Sequence, residues 1–251
     1  MILAQISDTH LDPESPNAAA RSRDLERCVA DINGLVPLPH AVIHTGDIAH
    51  NGTAAKYRQT MEVLKDLRPP LHIAVGNRDD RELIAAYFTT GRDLLPGTPF
   101  IQYSLDCYPV RLIALDTLSE TSNMGDFCRI RADSLAQALA EEIAKPTVLF
   151  MHHPPFEVVQ SRYRFQFEHW DKVDFLARAL QGRGQVVCAF TGHAHREASG
   201  MIANVPVSSV PSVAQDLRLG EYTGAAETSP VYQIHRWDNH RRFVTETRVA
   251  I

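Results

Sequence analysis

Five short polar clusters in this sequence carry side chains of the types that bind metal ions. They are Asp8 with His10, Asp47 inside Thr45-Gly46-Asp47-Ile48-Ala49-His50, Asn77 inside Gly76-Asn77-Arg78-Asp79-Asp80, His152-His153-Pro154-Pro155, and Gly192-His193-Ala194-His195. Singly, each is weak. A Gly-Asp pair occurs in innumerable turns, and Ser7-Asp8 with a histidine two residues on reads equally well as a turn beside a surface histidine. Together they offer seven nitrogen and oxygen donors, Asp8, His10, Asp47, Asn77, His152, His193 and His195, and no sulfur. Such a set suits two divalent ions of the Mn, Fe, Zn or Co kind and exceeds what one ion can use. Two ions about 3.5–4 Å apart clamp an in-line displacement at phosphorus in hydrolytic sites. A pair that close needs a shared carboxylate, and Asp47 is assigned that bridge.

The clusters are joined by what precedes them. Each follows a short apolar run: residues 2–7, 41–45, 71–75, 147–151 and 186–190. These runs read as buried strands ending in polar loops. If strand geometry persists through Asp8 and His10, both side chains point to one face and suit one ion. Gly46 lets the chain turn tightly beside Asp47. Leu25, Val29, Ile32 and Leu35 fall at helical spacing and predict an amphipathic helix over 22–35. Thr53 is placed to cap a second helix reaching Leu67, and further helices are expected over 82–88, 131–144 and 171–181. Strand and helix alternating through residue 88 predict parallel strands with right-handed crossovers, so the first three loops share the sheet edge where open α/β sheets bind ligands. After a turn at 96–99, residues 100–106 and 110–117 read as adjacent antiparallel strands. Short strands are expected around Val205-Pro206, a mobile loop over 220–229, and a terminal hairpin turning at Asn239. Residues 1–251 are expected to form a single domain.

Composition excludes several other classes. Hydrophobic residues make up 44% and charged residues 22%, and no apolar run approaches the roughly 18 residues of a membrane span. Met1 leads straight into a strand-like run without a basic stretch or cleavage site, which predicts no secretory signal and a cytoplasmic location. The four cysteines, Cys28, Cys107, Cys128 and Cys188, are dispersed and show no metal or redox spacing, so they are expected to be reduced packing residues. A net charge of −5 without a basic run disfavours binding of long nucleic acids. A homo-oligomer is compatible with the sequence, which does not specify one.

The ordered set Asp8-Thr9-His10, Gly46-Asp47, Gly76-Asn77-Arg78-Asp79-Asp80, His152-His153-Pro154-Pro155 and Gly192-His193-Ala194-His195 resembles the calcineurin-like binuclear metallophosphoesterases. Within them it is similar to class III cyclic nucleotide phosphodiesterases and glycerophosphodiesterases. The resemblance implies a four-layer α/β/β/α sandwich of two mixed sheets flanked by helices. It also implies that Asp8, His10 and His195 hold one ion, that Asn77, His152 and His193 hold the other, and that Asp47 is shared. Asp47, Asn77, Arg78 and His152 would then be catalytic, with Asn77 and Arg78 against the substrate. The implied reaction is hydrolysis of a small phosphodiester by a metal-bridging hydroxide. Alternatives are a phosphomonoesterase on the same site or a non-catalytic scaffold, although a scaffold has no need of all seven donors.

One position departs from the family pattern. Where a histidine usually follows the asparagine, this chain has Arg78. Arginine can grip a phosphate oxygen with a forked pair of hydrogen bonds but does not surrender a proton near neutral pH. The competing expectation is that Arg78 turns away to pair with Asp79 or Asp80. His44, His50 and His153 are candidates to replace the missing proton donor, although a histidine beside a buried strand is more often simply hydrogen-bonded in place. Residues 161–170, Ser-Arg-Tyr-Arg-Phe-Gln-Phe-Glu-His-Trp, interleave aromatic and basic side chains. They could stack over the site on a nucleobase, but a packed surface hairpin or an interface patch is the favoured expectation.

Overall fold

A computed structural model describes residues 1–88, 94–95, 99–238, 240 and 242–251. Pro96, Gly97 and Thr98 of the expected turn, and Asn239 of the terminal hairpin, lie outside the described residues. In chain order the elements are β1 (Ile2–Ile6), α1 (Ala18–Gly34), β2 (Ala41–His44), α2 (Ala54–Leu64), β3 (Leu71–Ile73), α3 (Arg81–Phe88), β4 (Tyr103–Leu105), β5 (Arg111–Ala114) and α4 (Arg129–Glu141). They continue with β6 (Thr147–Phe150), α5 (Trp170–Leu180), β7 (Val186–Thr191), β8 (Ala198–Ile202), β9 (Val205–Ser209), α6 (Ala225–Thr228), β10 (Val231–Trp237) and β11 (Phe243–Val249).

Two mixed sheets result, ordered β11-β10-β1-β2-β3 and β4-β5-β6-β7-β9-β8. β1, β2 and β3 run parallel, as do β5, β6, β7 and β9, while β10, β11, β4 and β8 join antiparallel. Alternation along each strand explains the layers. Ala41 and Ile43 of β2, Leu112 and Ala114 of β5, and Val148 and Phe150 of β6 share one core between the sheets. The intervening Val42 packs with Leu25, Val29 and Ile32 of α1 on the outer face of the first sheet. Ile113 and Leu149 pack with Leu135, Leu139, Val173 and Leu176 of α4 and α5 on the outer face of the second. The architecture is the expected four-layer sandwich.

Several local expectations need correction. α1 begins at Ala18, because Ala18, Ala19 and Ala20 favour helix without adding to the apolar stripe. α2 is capped by Thr53, whose Oγ1 accepts from Lys56 N, but ends at Leu64 in tight turns through Asp66 and Leu67. The expected mobile loop over 220–229 contains α6, and Arg218 holds it by donating to the carbonyls of Ala226 and Ser229. Cys107 is exposed rather than packed.

Candidate metal centre

The loops after β1, β2, β3, β6 and β7 converge, bringing the seven donors together. Their backbone does not follow the strands. Asp8, His10, Asp47, His193 and His195 all have positive φ, between 43° and 64°. Non-glycine residues adopt this left-handed region at a cost of order 1–3 kcal/mol each unless their surroundings impose it. Asp8 and His10 therefore reach one place by successive left-handed turns rather than by strand alternation. The turns are locked across loops: Asp8 N donates to Gly46 O at 3.0 Å, His10 N to Asp47 O at 3.0 Å, and His193 N to Asp8 Oδ2 at 3.0 Å. The loops approach so closely that a Cβ on Gly46, itself at φ 98°, would lie 2.7 Å from Gly76 N. A Cβ on Gly192 would lie 2.0 Å from Ser7 Oγ.

Two donor groups share one carboxylate. His10 Nε2 lies 3.3 Å from Asp47 Oδ2 and 3.3 Å from His195 Nε2, and His195 Nε2 lies 3.3 Å from Asp8 Oδ1. On the other side, His152 Nε2 lies 3.5 Å from Asp47 Oδ1, 3.0 Å from Asn77 Oδ1 and 3.2 Å from His193 Nδ1. The two oxygens of Asp47 thus face different groups. His152 Nδ1 donates to Thr45 O at 2.7 Å and His195 Nδ1 to Leu217 O at 3.0 Å. Each of these bonds turns Nδ1 outward and aims Nε2 into the cluster, the orientation typical of metal-ligating histidine.

The donors fit a pair of cations. Imidazole nitrogens, the Asn77 amide oxygen and carboxylate oxygens face one another at 3.0–3.5 Å, and Asp8 Oδ1 is buried without any hydrogen-bond partner. Burial and the charge of Asp8 push Asp47 up to about 8. Burial opposes the ionisation of Asp8 too, but His195 and its neighbours hold that carboxyl far below its usual range. Burial drives His10 and His193 well below the ordinary imidazole value, whereas in His195 the adjacent Asp8 overcomes burial and raises it to about 9. Positive charge placed between these groups would relieve the crowding.

The other histidines have separate places. His153 lies beside His152 and His193, but its Nδ1 is 2.8 Å from Thr117 Oγ1 and its Nε2 3.3 Å from Asn123 O. With both nitrogens engaged, it supports the cluster from behind and leaves Asn77 the better-placed donor. His44 is fully buried, accepts from Gly46 N through Nδ1 and meets Thr9 Oγ1 through Nε2, which removes it from proton transfer. His50 sits at the rim, its Nδ1 3.4 Å from His10 Nδ1.

Arg78 does not turn away to Asp79 or Asp80. Its guanidinium lines the cavity above the donors and donates to Asn51 Oδ1 at 3.3 Å, while its backbone N donates to Asp47 Oδ1 at 2.7 Å. Asp79 has a role that the sequence concealed. Buried beneath the bridging loop, it accepts from the backbone N of Asp47, Ile48 and Gly76 and from the Tyr57 hydroxyl. Its only sequence signal is an acid following Asn77-Arg78, which a surface turn would show equally.

Comparison with known proteins agrees with this geometry. The calcineurin-like phosphoesterase profile matches residues 1–197. A probable glycerophosphodiester phosphodiesterase of Arcobacter nitrofigilis is 29% identical across 98% of this chain and 92% of its own. A cAMP/cGMP dual specificity phosphodiesterase of Mycobacterium tuberculosis is 31% identical across 86% of this chain and 69% of its own. The crystal structure of a dimetal phosphatase from Danio rerio shares the fold, with a TM-score of 0.73 and 14% identity over 100% of this chain and 96% of that one. With five strand-end loops meeting in one Asp/His cluster and a matching profile over most of its length, this chain belongs to the calcineurin-like phosphoesterase family.

Proposed function

We propose that this protein is a two-metal phosphodiesterase acting on small phosphodiesters, of the cyclic nucleotide or glycerophosphodiester kind named for its relatives. The observation that carries the reading is Asp47, whose two carboxylate oxygens face two separate donor groups. In this reading Asp8, His10 and His195 hold one ion, Asn77, His152 and His193 the other, and Asp47 both, with Mn, Fe, Zn or Co as the candidate metals. When bound, such a pair supplies an activated water and neutralises charge that develops on the phosphoryl group.

The chain's own residues do the rest. Leu217 and Thr45 carbonyls fix the His195 and His152 tautomers, and Asp79 fixes the loop that presents Asp47. Arg78 holds a non-bridging phosphoryl oxygen and, unable to release a proton, leaves protonation of the departing alkoxide to water or to His50 at the cavity rim. Among the described residues no helix is long and apolar enough to cross a membrane. The reading places one domain in the cytoplasm, with a small diester as its partner rather than long nucleic acid.

The test is turnover of the diester methyl p-nitrophenyl phosphate and the monoester p-nitrophenyl phosphate by protein loaded with each metal in turn. Hydrolysis that disappears on chelation and returns with metal supports the reading. Monoester turnover alone would favour a phosphomonoesterase, and no turnover of either ester would favour a scaffold.

A further inference from the structure

The cavity of about 600 Å³ above the donor groups extends well past them. One side is floored by His10, Asp47, Asn77 and His193. Farther out the wall carries Met124, Tyr163, Leu217 and Leu219, interspersed with Asn123, Ser161, Arg162 and Gln166. This wall is built onto the centre itself: Leu217 O accepts from His195 Nδ1 at 3.0 Å, and Leu219 N donates to His195 O at 2.8 Å. Tyr163 stands on a segment tied down on both sides, by Val158 N donating to Arg164 O at 2.8 Å and by Gly125 N, next to Met124, donating to Gln166 O at 2.8 Å. Gln166 and Phe167 nearby are buried, yet Tyr163 is 63% exposed and Leu219 45%. The Arg162 guanidinium lies 5.5 Å from the Tyr163 ring centroid. An aromatic ring and two leucines lining one cavity beside a metal centre form a contiguous apolar patch of the kind that marks a ligand-binding groove.

The chemistry of that ligand follows from position. A phosphoryl group on the donor cluster must send an ester arm along the cavity. A glycerol arm can hydrogen-bond only to the polar part of the wall and leaves Met124, Leu217, Leu219 and the Tyr163 ring uncovered. A flat aromatic arm gains stacking on Tyr163 and burial against the leucines.

We propose that Tyr163, with Met124, Leu217 and Leu219, forms a subsite for a flat aromatic arm of the substrate, so that the enzyme selects nucleoside esters over glycerol esters. Resting on the two-metal reading, it gives residues 161–163 a role at the site in place of the surface hairpin expected from the sequence.

The test measures binding by calorimetry on Mn-loaded protein with adenosine 5′-monophosphate, ribose 5-phosphate and glycerol 3-phosphate. The first should bind about tenfold or more tightly than either ester lacking a base. Tyr163→Ala should bring it to the level of ribose 5-phosphate while moving the other two less than about twofold, and Tyr163→Phe should keep the preference. Equal affinity of all three ligands in the unaltered protein, or an equal effect of Tyr163→Ala on all three, overturns the subsite. The phosphodiesterase reading is judged separately, by turnover of methyl p-nitrophenyl phosphate. Base-dependent binding without turnover sinks that reading and leaves the subsite standing.

Discussion

At the scale of single residues, the two-ion reading makes Asp47 irreplaceable by its nearest isostere. In Asp47→Asn the Oδ1 position can still accept from Arg78 N, so the loop keeps its shape. The group facing His10 becomes a neutral amide, and the shared negative charge is lost. Activity should fall by about 10²–10³-fold or more, with metal content by elemental analysis dropping below two ions per chain. An Asp47→Asn protein with full metal content and near-normal turnover is incompatible with a bridge. For Arg78, removal of a charge-assisted phosphoryl contact should lower kcat/KM by roughly 10²-fold. Because arginine gives up no proton, aryl diesters should outrun alkyl diesters before and after Arg78→Ala. An unchanged kcat/KM in that variant would make the guanidinium purely a partner of Asn51. The seven donors were legible because side-chain type and strand-end position are both written in sequence. The left-handed backbone at Asp8, His10, Asp47, His193 and His195 was not, since it is imposed by cross-loop bonds such as Asp8 N to Gly46 O. The burial of Asp79 depends in the same way on Tyr57, in another element.

At the scale of elements, α1 holds the first donor group from outside. Arg21 Nη1 donates to His10 O at 2.9 Å, and its Nε and Nη2 fork onto Asp216 at 3.0 and 2.7 Å. One turn on, Asp24 accepts from Gln215 N at 3.0 Å and Gln215 Nε2 at 2.6 Å. The helix thereby fixes both the His10 backbone and the 214–217 segment, whose Leu217 carbonyl sets the His195 tautomer. Asp216→Ala leaves Arg21 largely buried with half its partners gone. The cost should be roughly 2–4 kcal/mol, tempered because the Asp216 side chain is 27% exposed. Urea unfolding would read this directly. Metal affinity should weaken about 10–100-fold, as for other groups that orient ligands from behind, and Arg21→Lys should retain charge but not the fork. Unchanged metal affinity in both variants would reduce the clasp to a stability device. The apolar stripe identified α1 itself. Its clasp was invisible because Arg21 and Asp216 lie 195 positions apart and each reads as an ordinary surface charge.

At the scale of the whole molecule, each donor group draws on both sheets. Asp8, His10, Asp47 and Asn77 follow strands of the first sheet, and His152, His193 and His195 follow strands of the second. The repeated strand-loop pattern pointed to one shared edge, but how the strands divide between sheets depends on pairings that sequence does not mark. β10, for example, returns from residue 231 to pair antiparallel with β1. Direct ties between the sheets near the centre include Gln5 Nε2 to Thr191 O at 3.0 Å and the stack of His235 on Phe190 at 3.8 Å. Ions held as proposed would add two further ties, each joining both sheets, and would offset the repulsion that raises Asp47. Binding only to the folded state stabilises by RT ln(1 + [M]/Kd), about 4 kcal/mol per site at a thousandfold excess over Kd. At roughly 2–4 °C per kcal/mol for a chain of this size, full metal loading should raise Tm by about 10 °C or more over chelated protein. The increment should grow with free metal concentration, as mass action requires. Asp47→Asn should keep only part of it, because one substitution weakens both sites without opening either sheet. A Tm indifferent to chelation, in metal-stripped protein that still hydrolyses diesters, would mean that the folded state holds no ions in this centre and that the two-metal assignment is wrong.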